Sequence, residues 1–383
     1  MTLDAVVGLI DLVEGMHRNA AGMPDQAPEA RPDGVGGFVY NKVRGVTRLV
    51  GDGLDALLGR LGARFVGLPS SPEREAVLAA LNGVLGDYLE ASGNPQAIRM
   101  RVRRAGQPLA LERAALAQAV AHPGGRLLVL AHGLCMNDLQ WNRQGHDHGA
   151  ALERDLGCSA LYLHYNSGRH ISSNGRDFAE TLEALVQAWP APVEQLAILG
   201  FSMGGLLARS AWHYGAAAGH GWTRRLRKLV FIATPHGGSP LERAGHWLDQ
   251  TLGASRYTEP LSRLGQARSA GITDLRHASL LDEDWQGRDR FRSDDLPRFL
   301  PLPEGIACYA MAATTGSQEG DFRDRLIGDG LVPLASALGR DKDPERTLRF
   351  PEARQWIGCS MNHLDLLCRP EAYGKLLQWL GED

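Results

Sequence analysis

Three features of the sequence predict an α/β protein, with a mostly parallel central sheet and helices on both faces. Short unbroken apolar runs recur at "GGRLLVLAHGL", "SALYLHYN", "QLAILGFS", "RKLVFIATPHG" and "GIACYAMAATTG". Amphipathic stretches such as "RDFAETLEALVQAW" stand between the earlier runs. Strands covered on both faces read as continuous apolar runs, and parallel strands need long, usually helical, crossovers. Several of the runs also end in turns rich in glycine or polar residues, which is where ligands sit in such sheets.

Taken in order, the first 95 residues are mostly helical. A short apolar-periodic helix precedes residues 18–37, "RNAAGMPDQAPEARPDGVGG", whose Pro, Gly and Ala content reads as a flexible linker. Val39, Val43, Val46, Val50, Leu54 and Leu57 then recur every three or four positions, the spacing of an amphipathic helix. The next helix opens with Ser71 as N-cap and Pro72 at its first position. Beyond it, "AIRMRVRRAGQPLAL" reads as two strands about a turn at Ala105 to Gln107, where Gly106 supplies the bend. A helix through Leu111 to Ala121 leads into the α/β alternation. The division expected is a helical N-terminal extension over 1–95 and an α/β domain over 96–383. Within that domain, 239–303 breaks the alternation and reads as a cap or lid insertion.

Composition excludes several classes. The 383 residues are 44% hydrophobic and 22% charged, ordinary for a globular chain. A formal net charge of −3 gives no reason to expect nucleic acid as a partner. The basic run Arg224 to Lys228 stands before an apolar strand and reads as a solvated helix-to-strand connection. No uncharged apolar run approaches the roughly 18 residues that a membrane-spanning helix needs. The N-terminus carries Asp4 and Asp11 inside its apolar stretch and lacks a basic leader, so it is not read as a secretory signal. Five scattered cysteines without C-x-x-C spacing read as free thiols, which points to a cytoplasmic location and away from zinc.

The chemistry concentrates at "LAILGFSMGGLLARSA". Gly200-Phe201-Ser202-Met203-Gly204 fits G-x-S-x-G, with a strand before it and a helix after it. The glycines leave room for a sharp turn that raises Ser202 above the sheet. A serine hydroxyl needs a base, and the base needs an orienting acid. His363 in "IGCSMNHLDLLCRP" lies after the last strand-like stretch and is read as that base. Asp329 in "IGDGLVPLASALG" lies between the strand "CYAMAATTG" and His363, in a loop that is uncharged from Gly330 to Gly339, and is read as the acid. Asp321 and Asp324 look solvent-facing, and Asp365 is expected in the first turn of the terminal helix. The backbone amides of Leu134, after the His132-Gly133 turn, and of Met203 are expected to bind a developing oxyanion. His132, Gly133 and His236 are expected to line the substrate site. His213 reads as a helix-surface residue, and His146-Asp147-His148 as a solvated segment rather than a metal site.

Together the HGL turn, the GFSMGG elbow, "ATPHGGSPL", "GDGLVPLASALG" and "NHLDLL" resemble the α/β-hydrolase superfamily. The likeness is to bacterial lipase- and esterase-like members of the PGAP branch, which resembles GPI-inositol deacylases, and it covers about residues 96–383. The resemblance implies a cofactor-free serine hydrolase acting on carboxylic esters, with Ser202, Asp329 and His363 as triad. A small-molecule or lipid ester is the partner it implies. Thioesterase, acyltransferase and intracellular polyester depolymerase use the same triad and stay open. So does a non-catalytic scaffold whose N-terminal helices dock a partner, a membrane or another lipid surface.

Overall fold

The computed structural model describes residues 71–239, 269–288, 296–317 and 328–382. The linker at 18–37, the helix read through Val39 to Leu57, Asp321, Asp324 and much of the 239–303 insertion lie outside the described residues.

Helix α1 (Pro72–Ala91) starts where the sequence places it: Ser71 is extended, and its hydroxyl accepts from the Arg74 amide. Strands β1 (Arg101–Arg104) and β2 (Gln107–Pro108) form a hairpin, with Ala105 and Gly106 both at positive φ in the two-residue turn. Helix α2 (Arg113–Ala119) leads to β3 (Arg126–Ala131). A small hairpin of β4 (Asn142–Arg143) and β5 (His146–Asp147) precedes α3 (His148–Leu156). Then come β6 (Ser159–His164), α4 (Ile171–Ala188), β7 (Gln195–Phe201), α5 (Met203–Ala217) and β8 (Leu226–Ile232). Helix α6 (Ala270–His277), β9 (Ala307–Thr314), the short α7 (Leu334–Ala337), β10 (Gln355–Cys359) and α8 (Pro370–Gly381) complete the described elements.

Eight strands form one sheet in the order β10-β9-β8-β7-β3-β6-β1-β2. The six from β10 to β6 run parallel, and the β1–β2 hairpin adds antiparallel to β6. Ala131 pairs with Gly200, and Phe201 with Ile232, so the carboxyl ends of β3, β7 and β8 lie level. His132 to Leu134, Ser202, Met203 and His236 follow these ends, while Asp329 and His363 lie beyond β9 and β10.

The apolar runs separate cleanly by side-chain parity. Leu127, Val129, Ile198, Phe231 and Ala310 face one core with α1, α4 and α5, while Leu128, Leu130, Leu199, Val230 and Met311 face a second core with α3 and α8. Side chains that alternate across a strand fill two apolar layers, which is why no polar face appears in these strands. Full burial of each large apolar side chain is worth about 1.5–3 kcal/mol against exposure.

The packing ties both flanking segments to this core. Helix α1, assigned above to an N-terminal extension, shares the first core: Ala80, Val84 and Leu89 are buried with Leu134, Leu163 and Ile171. Its polar Asn82 is buried too, donating to the Gln96 carbonyl and accepting from the Ile98 amide. The boundary at residue 95 therefore cuts through packed structure. The described part of the 239–303 insertion is likewise anchored rather than free-standing. Ile272, Leu275, Leu280 and Leu281 join the same core, and the Asp274 carboxylate accepts from the Ile171 amide.

Two glycine substitutions separate propensity from packing. A methyl at Gly86 in α1 would stand 1.8 Å from Asn166 Oδ1, and Asn166 is pinned by its own bond to the Gly86 carbonyl. Gly86→Ala is expected to destabilise by about 1–2 kcal/mol, overpacking outweighing the helix-propensity gain. Gly374→Ala in α8 meets nothing within 4 Å and is expected to stabilise by up to about 1 kcal/mol. Urea unfolding midpoints of the two variants, moving in opposite directions, check the pair.

Candidate active site

Ser202 sits between β7 and α5 with φ 56° and ψ −121°, a conformation that a non-glycine residue adopts only under constraint. Three glycines permit it. A Cβ at Gly200 would lie 2.4 Å from the Gly205 Cα, one at Gly204 2.2 Å from the Ala131 carbonyl oxygen, and one at Gly205 2.0 Å from Thr234 Oγ1. The helix thus starts in contact with the ends of β3 and β8. Ser202 is fully buried, and its hydroxyl has no hydrogen-bond partner among the described residues.

Gly133 faces this serine: a Cβ there would be 3.2 Å from Ser202 Cβ. The His132-Gly133-Leu134 turn that follows β3 is held from several sides. The His132 ring stacks on Tyr165 at 4.3 Å, its Nδ1 donates to the Gly133 carbonyl, and its Nε2 accepts from the Tyr165 amide. Tyr165 also donates its hydroxyl to the His132 carbonyl, and the Cys135 amide donates to Ser167 Oγ. Both nitrogens of His132 are therefore engaged within the protein, so its part in the site runs through the shape of the turn. Among the described residues, nothing accepts from the Leu134 amide. The Met203 amide opens α5, where helix N–H groups have no intrahelical acceptor.

Asp329 and His363 are brought together although 34 residues apart. His363 Nδ1 donates to Asp329 Oδ2 at 2.7 Å, and both side chains are almost wholly buried. The other carboxylate oxygen accepts from the Leu331 and Val332 amides at 2.9 and 2.8 Å. The His363 amide donates to the Asp329 carbonyl, which ties the two loops at the backbone as well. Gly328 has φ 57°, and a Cβ there would meet the Val332 carbonyl at 2.1 Å, so this loop also requires glycine. The His363 ring lies 4.8 Å from the ring of Phe201, the residue before Ser202.

His236 follows β8 and is buried, stacked edge-on to Phe231 at 4.8 Å with Arg209 Nη1 3.3 Å from its Nδ1. Arg209 itself is a residue that the sequence reading passed over. The signal was present: one arginine inside the apolar first half of α5, "MGGLLARSA". Asp365 and the His146-Asp147-His148 segment are read differently by the structure. Asp365 opens a separate 3-10 turn before α8, and its carboxylate accepts from the Asn362 amide. His148 is fully buried, not solvated, because its Nε2 donates to the Leu366 carbonyl while its Nδ1 pairs with His146 Nε2. No cluster suited to a metal ion occurs among the described residues, and no described helix is long and apolar enough to cross a membrane.

The parallel sheet, the elbow between strand and helix, and the loops at the strand ends give this chain an α/β-hydrolase fold. Within it, residues 122–296 match the sequence model of the PGAP1-like alpha/beta domain. Curated proteins yield no match to the sequence. Among solved structures, the mature lipase of Bacillus licheniformis is similar at 15% identity and TM-score 0.43, covering 74% of this chain and 98% of its own. Lipase B of Aspergillus fumigatus is similar at 11% identity and TM-score 0.42, covering 73% and 60%. A hyperthermophilic esterase from Pyrobaculum calidifontis is similar at 13% identity and TM-score 0.41, covering 86% and 95%.

Burial fixes the charge of several histidines around these loops. It pulls His132 and His148 from the ordinary 6.5 down to about 4, pulls His164 down further, and holds His236 well below its ordinary value. Between pH 6.5 and about 4 the unfolded chain binds protons that the folded chain refuses, so stability falls with falling pH across that window. The urea midpoint is expected to drop between pH 7 and pH 5. His148→Gln, which keeps a donor for Leu366 but removes the titrating ring, is expected to flatten that drop.

Proposed function

We propose that this chain is a serine hydrolase of carboxylic esters. The observation that carries the reading is the buried, partnerless Ser202 hydroxyl in its strained elbow, with the Asp329–His363 pair packed against the neighbouring Phe201 ring. In this reading His363 removes the Ser202 proton as the oxygen attacks the ester carbonyl. Asp329 fixes the imidazole with Nδ1–H toward itself, leaving Nε2 to act as the base, and stabilises the imidazolium that forms. The negative charge that develops on the carbonyl oxygen is held by the Leu134 and Met203 amides. His363 returns the proton to the leaving alcohol. Water, activated by the same imidazole, then releases the acid from the acyl-enzyme.

The glycine at 133 supports this arrangement, since it lets the turn bearing Leu134 approach Ser202 closely. Preorganised backbone donors of this kind are worth about 3–4 kcal/mol of transition-state stabilisation when one is lost. All groups named are supplied by the chain. The acyl-chain preference is read from hydrolysis of p-nitrophenyl esters of graded length.

Ser202→Ala is expected to abolish both ester hydrolysis and labelling by a fluorophosphonate probe. Asp329→Asn is expected to lower kcat by about 10⁴-fold, because the amide disturbs the tautomer that the carboxylate holds. Equal labelling of wild type and Ser202→Ala would remove the basis for the assignment.

A further inference from the structure

A cavity of about 90 Å³ lies beside α5 and is walled by the segment 296–300, the loop 339–348 and the end of β8. Arg209 and His236 line it, and each carries a buried N–H donor without an acceptor among the described residues. Arg209 always donates, so its contact at 3.3 Å makes His236 Nδ1 the acceptor. The neutral imidazole, kept so by burial and by the Arg209 charge, then holds its proton on Nε2. That Nε2 and the Arg209 Nε are both buried without a hydrogen-bond partner among the described residues.

The electrostatics point the same way. Arg209 is only 4% exposed and forms no ion pair among the described residues; its other guanidinium contact is with the Leu300 carbonyl. The ionisable group acting on it most is the Cys308 thiol, which burial keeps protonated. Burial pulls the guanidinium down to about 10, so it stays charged at neutral pH. Among the described residues of the wall, three more arginines, Arg298, Arg340 and Arg346, stand against the one carboxylate of Asp341. An uncompensated buried cation is costly, and a forked guanidinium matches an oxyanion.

We infer that the Arg209–His236 cavity is an anion subsite that takes a phosphate group. The excess of positive charge on its walls favours a dianion over a carboxylate. Arg209 lies seven residues along α5 from Ser202, about 10 Å of helix, and Ser202 is not among the described residues that line the cavity.

The test measures thermal unfolding and calorimetric binding of the full chain at constant ionic strength. Inorganic phosphate is expected to raise the melting temperature saturably, acetate much less, and chloride not at all. Arg209→Met is expected to weaken phosphate binding by about 30-fold or more. Arg298→Gln/Arg340→Gln, two exposed positions with no core role, is expected to weaken it several-fold and to narrow the preference over acetate. Retention on vesicles of phosphatidic acid in phosphatidylcholine, released by inorganic phosphate, would assign the group to a lipid headgroup; binding of free phosphate without such retention assigns it to a soluble ligand. Equal effects of phosphate and chloride on wild type, or undiminished phosphate binding in both variants, would overturn the inference.

Discussion

The backbone of Ser202 is the constraint around which the strand ends are arranged. Holding a serine at φ 56° and ψ −121° costs of order 1–3 kcal/mol, and it persists only where the surroundings determine it completely. Here they do so by contact. The first turn of α5 rests on the Ala131 carbonyl through Gly204 and on Thr234 through Gly205. The Ser202 amide meanwhile donates to the Ile232 carbonyl, continuing the β7–β8 ladder to the point of the turn. Larger residues at either glycine would force the helix away from the sheet, and the serine would relax toward ordinary backbone. The parallel register that brings the ends of β3, β7 and β8 level is therefore a condition for the strained turn.

That condition extends outward to α1. The turn after β3 contains Cys135 at φ 58°, and a Cβ at Gly83 of α1 would lie 2.2 Å from its sulfur. Helix and turn approach as closely as backbone allows. The same helix meets the loop after β6 at Gly86, where Asn166 donates to the Gly86 carbonyl and accepts from the Gly168 amide. It meets the described part of the insertion through Ser269 and Asp87, which bond the Gly83 carbonyl and the Ala270 amide respectively. Buried polar groups so paired fix one arrangement more tightly than apolar contact does. The loops facing Ser202 owe their shape to this helix as much as to the sheet.

What was legible in the sequence follows from which forces are local. The strands were readable because each is apolar on both faces, and Ser202 because its glycines adjoin it. Asp329 and His363 were reachable because chain order and flanking residues marked them, though their 2.7 Å contact is a tertiary fact. His148 was not readable: a His-Asp-His segment looks solvated until the Leu366 carbonyl, 218 residues away, is placed against it. The packing of helix α1 was not readable for a similar reason. Its alanines and glycines, Ala79, Ala80, Gly83 and Gly86, mark close approach to something, but the partners lie in loops that follow β3 and β6. Short-range pattern identifies an element, while the partner that buries it comes from topology.

Arg209 sets the limit of that rule from the opposite side. A lone arginine in an apolar helix reads as an irregularity, and no carboxylate among the described residues pairs with it. Substituting well-packed apolar groups for buried charges is often neutral or stabilising, so packing alone gives no reason for a guanidinium at this position. Its position relative to His236 gives one. By donating to Nδ1, the guanidinium fixes the tautomer of a ring that burial already holds neutral, and it turns His236 into a donor on the wall of the same cavity. Two buried donors without an acceptor among the described residues, in a cavity lined by three more arginines, are what the inferred anion would satisfy. The same helix thus carries a strained serine at its start and an uncompensated charge two turns on. Both are local departures from what stability alone would select, and departures of that kind gather where a fold meets its ligands.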